Sequence, residues 1–212
     1  MKVISSKMLP DDTFERPFWE KGKLAAGIDE AGRGCLAGPV VAAAIILPIG
    51  LLNECEINDS KLLSPAKRFE IAAALKVKAL AYSVCFVDNE RIDKINILQA
   101  TFEAMLGAVR QLETRPEHLL IDGNRFPGCE IPHTVIIDGD ALCLSIAAAS
   151  ILAKTERDLW MQNIADIQYP GFGFAKHKGY GTKKHYEAIE RSGITPIHRL
   201  SFLKKITESV LF

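Results

Sequence analysis

Gly27-Ile-Asp-Glu-Ala-Gly-Arg-Gly34 sets two adjacent carboxylates, Asp29 and Glu30, directly before a Gly-Arg-Gly turn. Paired acids can hold a divalent cation, and bare glycine backbone beside an arginine suits close approach to a phosphate. The same stretch also reads as a strand closed by an acidic turn, because Asp and Gly favour turns for reasons of their own. Two further apolar runs end alike. Leu119-Leu120-Ile121 runs into Asp122-Gly123-Asn124, and Thr134 to Ile137 runs into Asp138-Gly139-Asp140. Singly, Asp122 marks an ordinary turn and Asp140 an acid stabilising a helix N-terminus. Jointly, Asp29, Glu30, Asp122 and Asp140 make four carboxylates at three strand endings, and such endings gather at one edge of a sheet with helical crossovers. Clustered carboxylates repel unless cations hold them. The donor set is all oxygen, with no His-Cys spacing for zinc and no calcium-loop motif, so the expected ion is Mg²⁺ or Mn²⁺. A pair of such ions about 3.5–4 Å apart can clamp the attacking and leaving oxygens of a phosphodiester displacement.

Other residues fit a polyanionic substrate. Arg33 reads either as a phosphate or ribose contact or as a surface ion pair. Tyr180 lies among Lys178, Gly179 and Gly181, with Lys183 and Lys184 close by; interleaved aromatic and basic residues stack on sugars or bases, although a packed loop aromatic would look similar. Ser60 and Lys61 stand in a polar loop, Asn58-Asp-Ser-Lys61, equally readable as solvated surface. His177 and His198 read as hydrogen-bonded loop histidines, since a two-metal site needs no imidazole base. Lys176, Lys178, Lys183, Lys184, Arg191, Arg199, Lys204 and Lys205 outnumber Glu187, Glu190 and Glu208, which implies a local basic surface for gripping a duplex backbone. Gly32-x-Gly34-x-x-Ala37 also fits the dinucleotide-binding pattern, but that motif must open a helix, and Gly38-Pro39 with a β-branched run follows instead.

The elements that must position these groups follow from periodicity. Leu24–Ile28 and Val40–Leu47 read as buried strands, and Tyr82–Val87 alternates as a third. Ser64-Pro65 caps a helix over residues 66–80, and a second helix spans residues 92–112, with Ile95, Leu98, Phe102, Met105, Leu106 and Val109 at three- and four-residue steps. Residues 119–121 and 134–137 are short strands, residues 142–164 a long helix, and residues 170–181 a flexible glycine-rich loop. Thr182 caps a helix over residues 183–191, and a basic, then amphipathic tail ends the chain. This is a mixed α/β sheet flanked by helices. The organisation reads as an arm of residues 1–22 whose aromatics Phe14, Phe18 and Trp19 dock on the domain, an α/β domain over 23–170, and a helical extension over 171–212.

The 212 residues are 48% hydrophobic, enough for one sizeable core. Twenty-six basic and 26 acidic side chains cancel, so no global field announces a polyanion partner, and a local basic face must serve. Five cysteines form no CxxC pair and read as reduced, mostly buried thiols. No apolar run spans a bilayer, and the first residues lack a signal peptide's apolar region. The expectation is a soluble cytoplasmic protein without membrane contact, and a monomer by default.

With these motifs in order, the chain resembles ribonuclease HII, the type 2 ribonuclease H, of bacterial type. The resemblance runs through Gly27–Gly34, Asn58–Lys61, Asn96-Ile-Leu98, Leu120-Ile-Asp-Gly-Asn-Arg125, Gly139-Asp-Ala141, Ala148–Lys154 with Arg157-Asp158, His177-Lys-Gly-Tyr-Gly-Thr182, and His198-Arg199 before Ser201-Phe202. It implies a ribonuclease H-like fold with a five-stranded mixed sheet, and an endonuclease that hydrolyses the RNA strand of RNA–DNA hybrids and nicks DNA 5′ to embedded ribonucleotides. It implies two divalent ions on Asp29, Glu30, Asp122 and Asp140. It also implies a ribose-sensing loop at Gly32, Arg33 and Gly34, a sugar-packing Tyr180, and phosphate contacts at Ser60 and Lys61; the basic setting of Lys178 adds it to the substrate contacts. The chain departs from the pattern at Asp138, where many bacterial members have lysine, at Leu200 in place of a frequent arginine, and in lacking the usual proline after Ser-Phe. Ribonuclease HIII shares the acids but usually carries an extra N-terminal domain, for which this chain has no room. A non-catalytic hybrid-binding protein would not need four intact acids.

Overall fold

The computed structural model describes residues 9–51, 57 and 63–203. In chain order the elements are α1 (Arg16–Trp19), β1 (Ala25–Ala31), β2 (Val40–Ile46), α2 (Pro65–Lys78), β3 (Ala81–Val87), α3 (Asn89–Arg110), β4 (His118–Asp122), β5 (His133–Ile136), α4 (Gly139–Leu142), α5 (Leu144–Trp160), a π-helical turn at Met161–Ala165, α6 (Asp166–Gln168), α7 (Phe174–His177) and α8 (Lys183–Ser192). The five strands form one mixed sheet, as the resemblance implied, and its order is β3-β2-β1-β4-β5. β2 is antiparallel to β1 and β3, whereas β4 and β5 run parallel to β1. β1, β4 and β5 therefore deliver their C-terminal ends to the same edge, where ligands bind in sheets of this kind.

The side-chain period of two sorts the core. Val40, Ala42, Ala44 and Ile46 of β2 join Ala100, Ala104, Met105 and Ala108 of α3 on one face. Ala43 and Ile45 join Ala147, Ile151 and Leu152 of α5, with Ile71 and Leu75 of α2, on the other. Each fully buried Ile or Leu contributes roughly 1.5–3 kcal/mol, and alanines at the centre let the helices come close. At Gly27 a Cβ would stand 2.1 Å from the Ser145 carbonyl carbon, so β1 carries α5 backbone to backbone. No helix among the described residues is long and apolar enough to cross a membrane.

Ser64 caps α2 by accepting from Lys67 N at 3.3 Å, and Thr182 caps α8 by accepting from His185 N at 3.3 Å, both as expected. Four expectations need correction. The second helix starts at Asn89, capped by Asp88, and breaks at Asn96, whose φ of 67° interrupts it. With ψ at 164° this is a conformation that side-chain-bearing residues rarely adopt, and the Asn96 Oδ1 accepts from Leu98 N at 3.0 Å and Gln99 N at 3.1 Å, capping the second segment locally. The long helix expected over residues 142–164 is divided at Cys143, and its last turn widens into the π segment. The supposed flexible loop contains α7, because Phe174 is wholly buried with Ala37, Met161, Ala165 and Ile197. Arg199, counted among surface cations, is completely buried. Residues from Lys204 onward, and Cys55, lie outside the described residues.

At the N-terminus, Phe14 and Phe18 dock beside Ala25, Leu120, Ile136, Cys143 and Ile146, and Phe18 stacks on His118 at 4.3 Å. Cys35 and Cys143 are buried free thiols, Cys85 is half-buried and Cys129 is exposed.

Candidate metal and nucleic-acid site

Asp29 and Glu30 occupy the end of the central strand, and consecutive strand residues point to opposite faces. Ile28 and Ile121 are register partners, so Asp29 and Asp122 are the next residues along two adjacent parallel strands. Asp29 is 4% exposed, and Ser150 of α5 donates a hydrogen bond to it from the face below. Its carboxyl lies well above the ordinary carboxylate range, first because it is buried and then because Glu30 and Asp122 are close. The backbone N–H of Glu30, donating to Asp29 Oδ1 at 2.7 Å, and the Ser150 hydroxyl pull the other way. Three acids thus share one electrostatic neighbourhood.

Asp140 stands on a different element from the one expected. It does not end a strand. Beyond β5, Asp138 adopts a left-handed conformation at φ 55°, the chain turns into the single-turn helix α4, and Asp140 is its second residue, 6% exposed. Gly139 N donates to Asp122 Oδ1 at 2.7 Å, tying the start of α4 to the end of β4. Among the described residues, no three of His, Cys, Asp and Glu form a group that could hold a metal ion. Magnesium does not require one: it is commonly held by one or two carboxylates, completing its shell with water and substrate phosphate oxygens. Hard oxygen donors in a field that already disfavours ionised Asp29 fit such an ion.

Arg33 forms the ion pair that was one of its two readings, its Nη1 lying 3.2 Å from Glu30 Oε1, with half of its side chain exposed. The turn around it rests on two buried arginines. Arg157 donates from Nε to Pro39 O at 2.9 Å, from Nη1 to Lys178 O at 2.8 Å and from Nη2 to Ala37 O at 3.1 Å. Gly32, at φ 93°, lies flat on that guanidinium; a Cβ there would stand 2.0 Å from Arg157 Nε. Arg199 donates from Nε to Gly38 O and from Nη1 to Arg33 O, both at 2.9 Å, and its charge lies over the Phe202 ring. Burial, followed by the nearby Arg157, lowers Arg199 to about 10. Neither role was apparent from the sequence, where Arg157 stood only within a motif and Arg199 looked like a surface charge.

Tyr180 stands at the same turn. It bridges to Cys35, keeps 39% of its surface exposed, and has Lys154 Nζ 5.3 Å and the Arg157 guanidinium 5.8 Å from its ring centre. Lys178, also left-handed at φ 54°, directs its ammonium to Asp158 O at 3.4 Å and Gln162 Oε1 at 3.3 Å, and burial lowers its pKa. Asp158 is itself held between Arg68 Nη1 at 3.1 Å and Lys154 Nζ at 2.6 Å. His177 and His198 are hydrogen-bonded, as expected, to Phe172 O at 2.8 Å and to Thr195 N at 2.8 Å. Ser60 and Lys61 lie outside the described residues. β1 carries Asp29 and Glu30 into the Gly32–Gly34 turn, and the next residue, Cys35, bridges to Tyr180; neither the 620 Å³ cavity lined by Asn89, Asp93, Thr195 and His198 nor the 530 Å³ cavity lined by Leu106, Arg110, Arg115 and Ile131 involves these residues.

Residues 26–205 match the family model for ribonuclease HII. A ribonuclease HII of Parabacteroides distasonis is 56% identical over 187 residues, covering 88% of this chain and 93% of its own. Among solved structures, ribonuclease H2 from Pyrococcus horikoshii superposes with a TM-score of 0.69 at 27% identity, covering 88% of this chain and 98% of that one. Bst-RNase HIII, solved in complex with Mn²⁺, shares the fold at a TM-score of 0.65 and 19% identity, covering 89% of this chain and 70% of that one.

Proposed function

The chain belongs to the ribonuclease HII family, endoribonucleases acting on RNA–DNA hybrids, and from that membership we propose that it also nicks duplex DNA on the 5′ side of an embedded ribonucleotide, leaving 3′-hydroxyl and 5′-phosphate ends. Asp29, Glu30, Asp122 and Asp140 hold two divalent ions, Mg²⁺ or Mn²⁺, during the reaction. Bound there, these ions supply charge neutralisation and Lewis acidity for phosphodiester hydrolysis. The observation that carries the reading is the buried Asp29 carboxyl, raised by burial and by Glu30 and Asp122 at the edge where β1 and β4 end. Such a group gains most from a cation.

The chain's own residues do the recognition. The Gly32–Gly34 backbone, held from below by Arg157 and Arg199, approaches the ribose 2′-hydroxyl, the group that separates RNA from DNA. Arg33, which pairs with Glu30, would turn to a phosphate if that carboxylate were to hold a cation. Tyr180 packs on the sugar next to the ribonucleotide, and Lys178, Ser60 and Lys61 contact the backbone. The enzyme works as a cytoplasmic monomer. The test is cleavage, with Mg²⁺, of a duplex containing one ribonucleotide beside a continuous hybrid, with product ends mapped. A single nick 5′ to the ribonucleotide is expected; cleavage of the hybrid alone would assign the ribonuclease HIII type of specificity instead.

A further inference from the structure

Asp140 depends on a weak element. α4 is a single turn, too short to be stable by itself. Directly after it the chain leaves the helical conformation at Cys143, with φ −112° and ψ 126°, and the Cys143 side chain offers α5 no cap. A 17-residue helix would ordinarily take that cap from Ser, Thr, Asp or Asn at this position.

The cap comes from the N-terminal arm instead. Glu15 is 0% exposed, and its Oε1 accepts from Ser145 N at 2.7 Å, across 130 residues of sequence, and from the Cys143 thiol at 3.0 Å. It thereby meets an orphan N–H at the positive end of α5. Its Oε2 is buried with no hydrogen-bond partner among the described residues, so the Oε1 contacts are what offset the burial of this side chain. Asp11 completes the tie: its N–H donates to Leu142 O at 3.3 Å and its carbonyl accepts from Leu144 N at 2.9 Å. Both sides of the Cys143 break are thus stitched to the arm, Leu142 of α4 by Asp11 and Ser145 of α5 by Glu15. This lies upstream of residues 26–205, the span of the family match.

We propose that Glu15 is a positioning residue for the metal site, holding the α4–α5 junction and with it Asp140, whose neighbour Gly139 is tied to Asp122. The proposal rests on the reading of Asp140 as a metal ligand. It is tested by titrating Mn²⁺, followed by the electron paramagnetic resonance signal of the free ion, into the whole chain without nucleic acid. Wild type, Glu15→Ala, Glu15→Gln and Asp140→Asn are compared, and melting temperatures are measured in chelator alongside. Glu15→Ala is expected to weaken Mn²⁺ binding about tenfold, at the low end for groups supporting a metal ligand. Glu15→Gln keeps an oxygen that accepts from Ser145 N–H and should stay within about threefold of wild type. A purely structural role would lower the melting temperature of Glu15→Ala while leaving Mn²⁺ affinity unchanged, and that result overturns the proposal, as does equal weakening by Ala and Gln. Should Glu15→Ala not fold, Glu15→Asp, one methylene short of Ser145 N, takes its place with the same criteria. Absent binding by wild type, or binding by Asp140→Asn as tight as wild type, brings down the metal reading itself and the proposal with it.

Discussion

The Nε2 atoms of His185 and His198 lie 3.0 Å apart, and only one of them carries the proton between them. Thr195 N–H donates to His198 Nδ1 at 2.8 Å, so His198 bears its proton on Nε2 and donates to His185. His185 then donates from Nδ1 to Tyr180 O at 3.0 Å. The two rings form a directed chain of neutral imidazoles that ends on the backbone of Tyr180, with His177 stacked on His185 at 4.2 Å. Burial lowers His185 to about 4, and the neighbouring His177 and His198 add to that, against the Tyr180 carbonyl.

The unfolded chain takes up a proton at His185 near 6.5, before the folded chain does, so this residue costs stability as pH falls from about 6.5 towards 4. The loss is on the order of 3 kcal/mol at the acid end. His185→Gln should flatten that part of the melting temperature–pH curve; an unchanged slope would show that His185 is not the group responsible.

Asp29→Asn should separate stability from activity. Asn keeps an acceptor for Glu30 N and removes a charge that burial, Glu30 and Asp122 all disfavour. The metal-free variant is expected to melt a few degrees higher at neutral pH, roughly 2–4 °C per kcal/mol gained for a chain of this size. Hybrid cleavage with Mg²⁺ should fall on the order of a thousandfold, equivalent to about 4 kcal/mol. Wild-type cleavage rates would remove Asp29 from the reaction.

Arg157→Lys is not a conservative change here, because one ammonium cannot serve Pro39 O, Ala37 O and Lys178 O together from a planar fork. Leaving one or two buried carbonyls unpaired costs about 2–5 kcal/mol. Chemical denaturation should register that loss, and kcat/KM on the single-ribonucleotide duplex should drop about 10- to 100-fold, since the guanidinium also underlies Gly32. Retained stability and discrimination would contradict a joint support of the two loops.

Tyr180→Phe should keep cleavage within about threefold of wild type, whereas Tyr180→Ala, which removes the ring beneath Lys154 and Arg157, should lose on the order of 1–3 kcal/mol of substrate binding. Steady-state kinetics on both substrates decide it. Equal losses in the two variants would argue for the hydroxyl over the ring face.

Strands β1, β2 and β3, the capped helices α2 and α8, and the acids at the ends of β1 and β4 were legible in the chain because each is written locally, as an apolar run, a cap or a carboxylate where such a run stops. Asn96 shows where local reading ends: its apolar flanks keep helical spacing through a residue that interrupts the helix. What the sequence alone determined was therefore which groups are present and the mixed sheet that carries them. Only the tertiary structure decided that Asp140 sits on a separate helical turn, that Arg157 and Arg199 are buried beneath the Gly32–Gly34 turn, and that Glu15 caps a helix beginning at Leu144. Those partners are backbone carbonyls and N–H groups, which every residue carries alike, so no side-chain pattern along the chain could mark them; folding selects them by bringing distant backbone within about 3 Å of a buried charge.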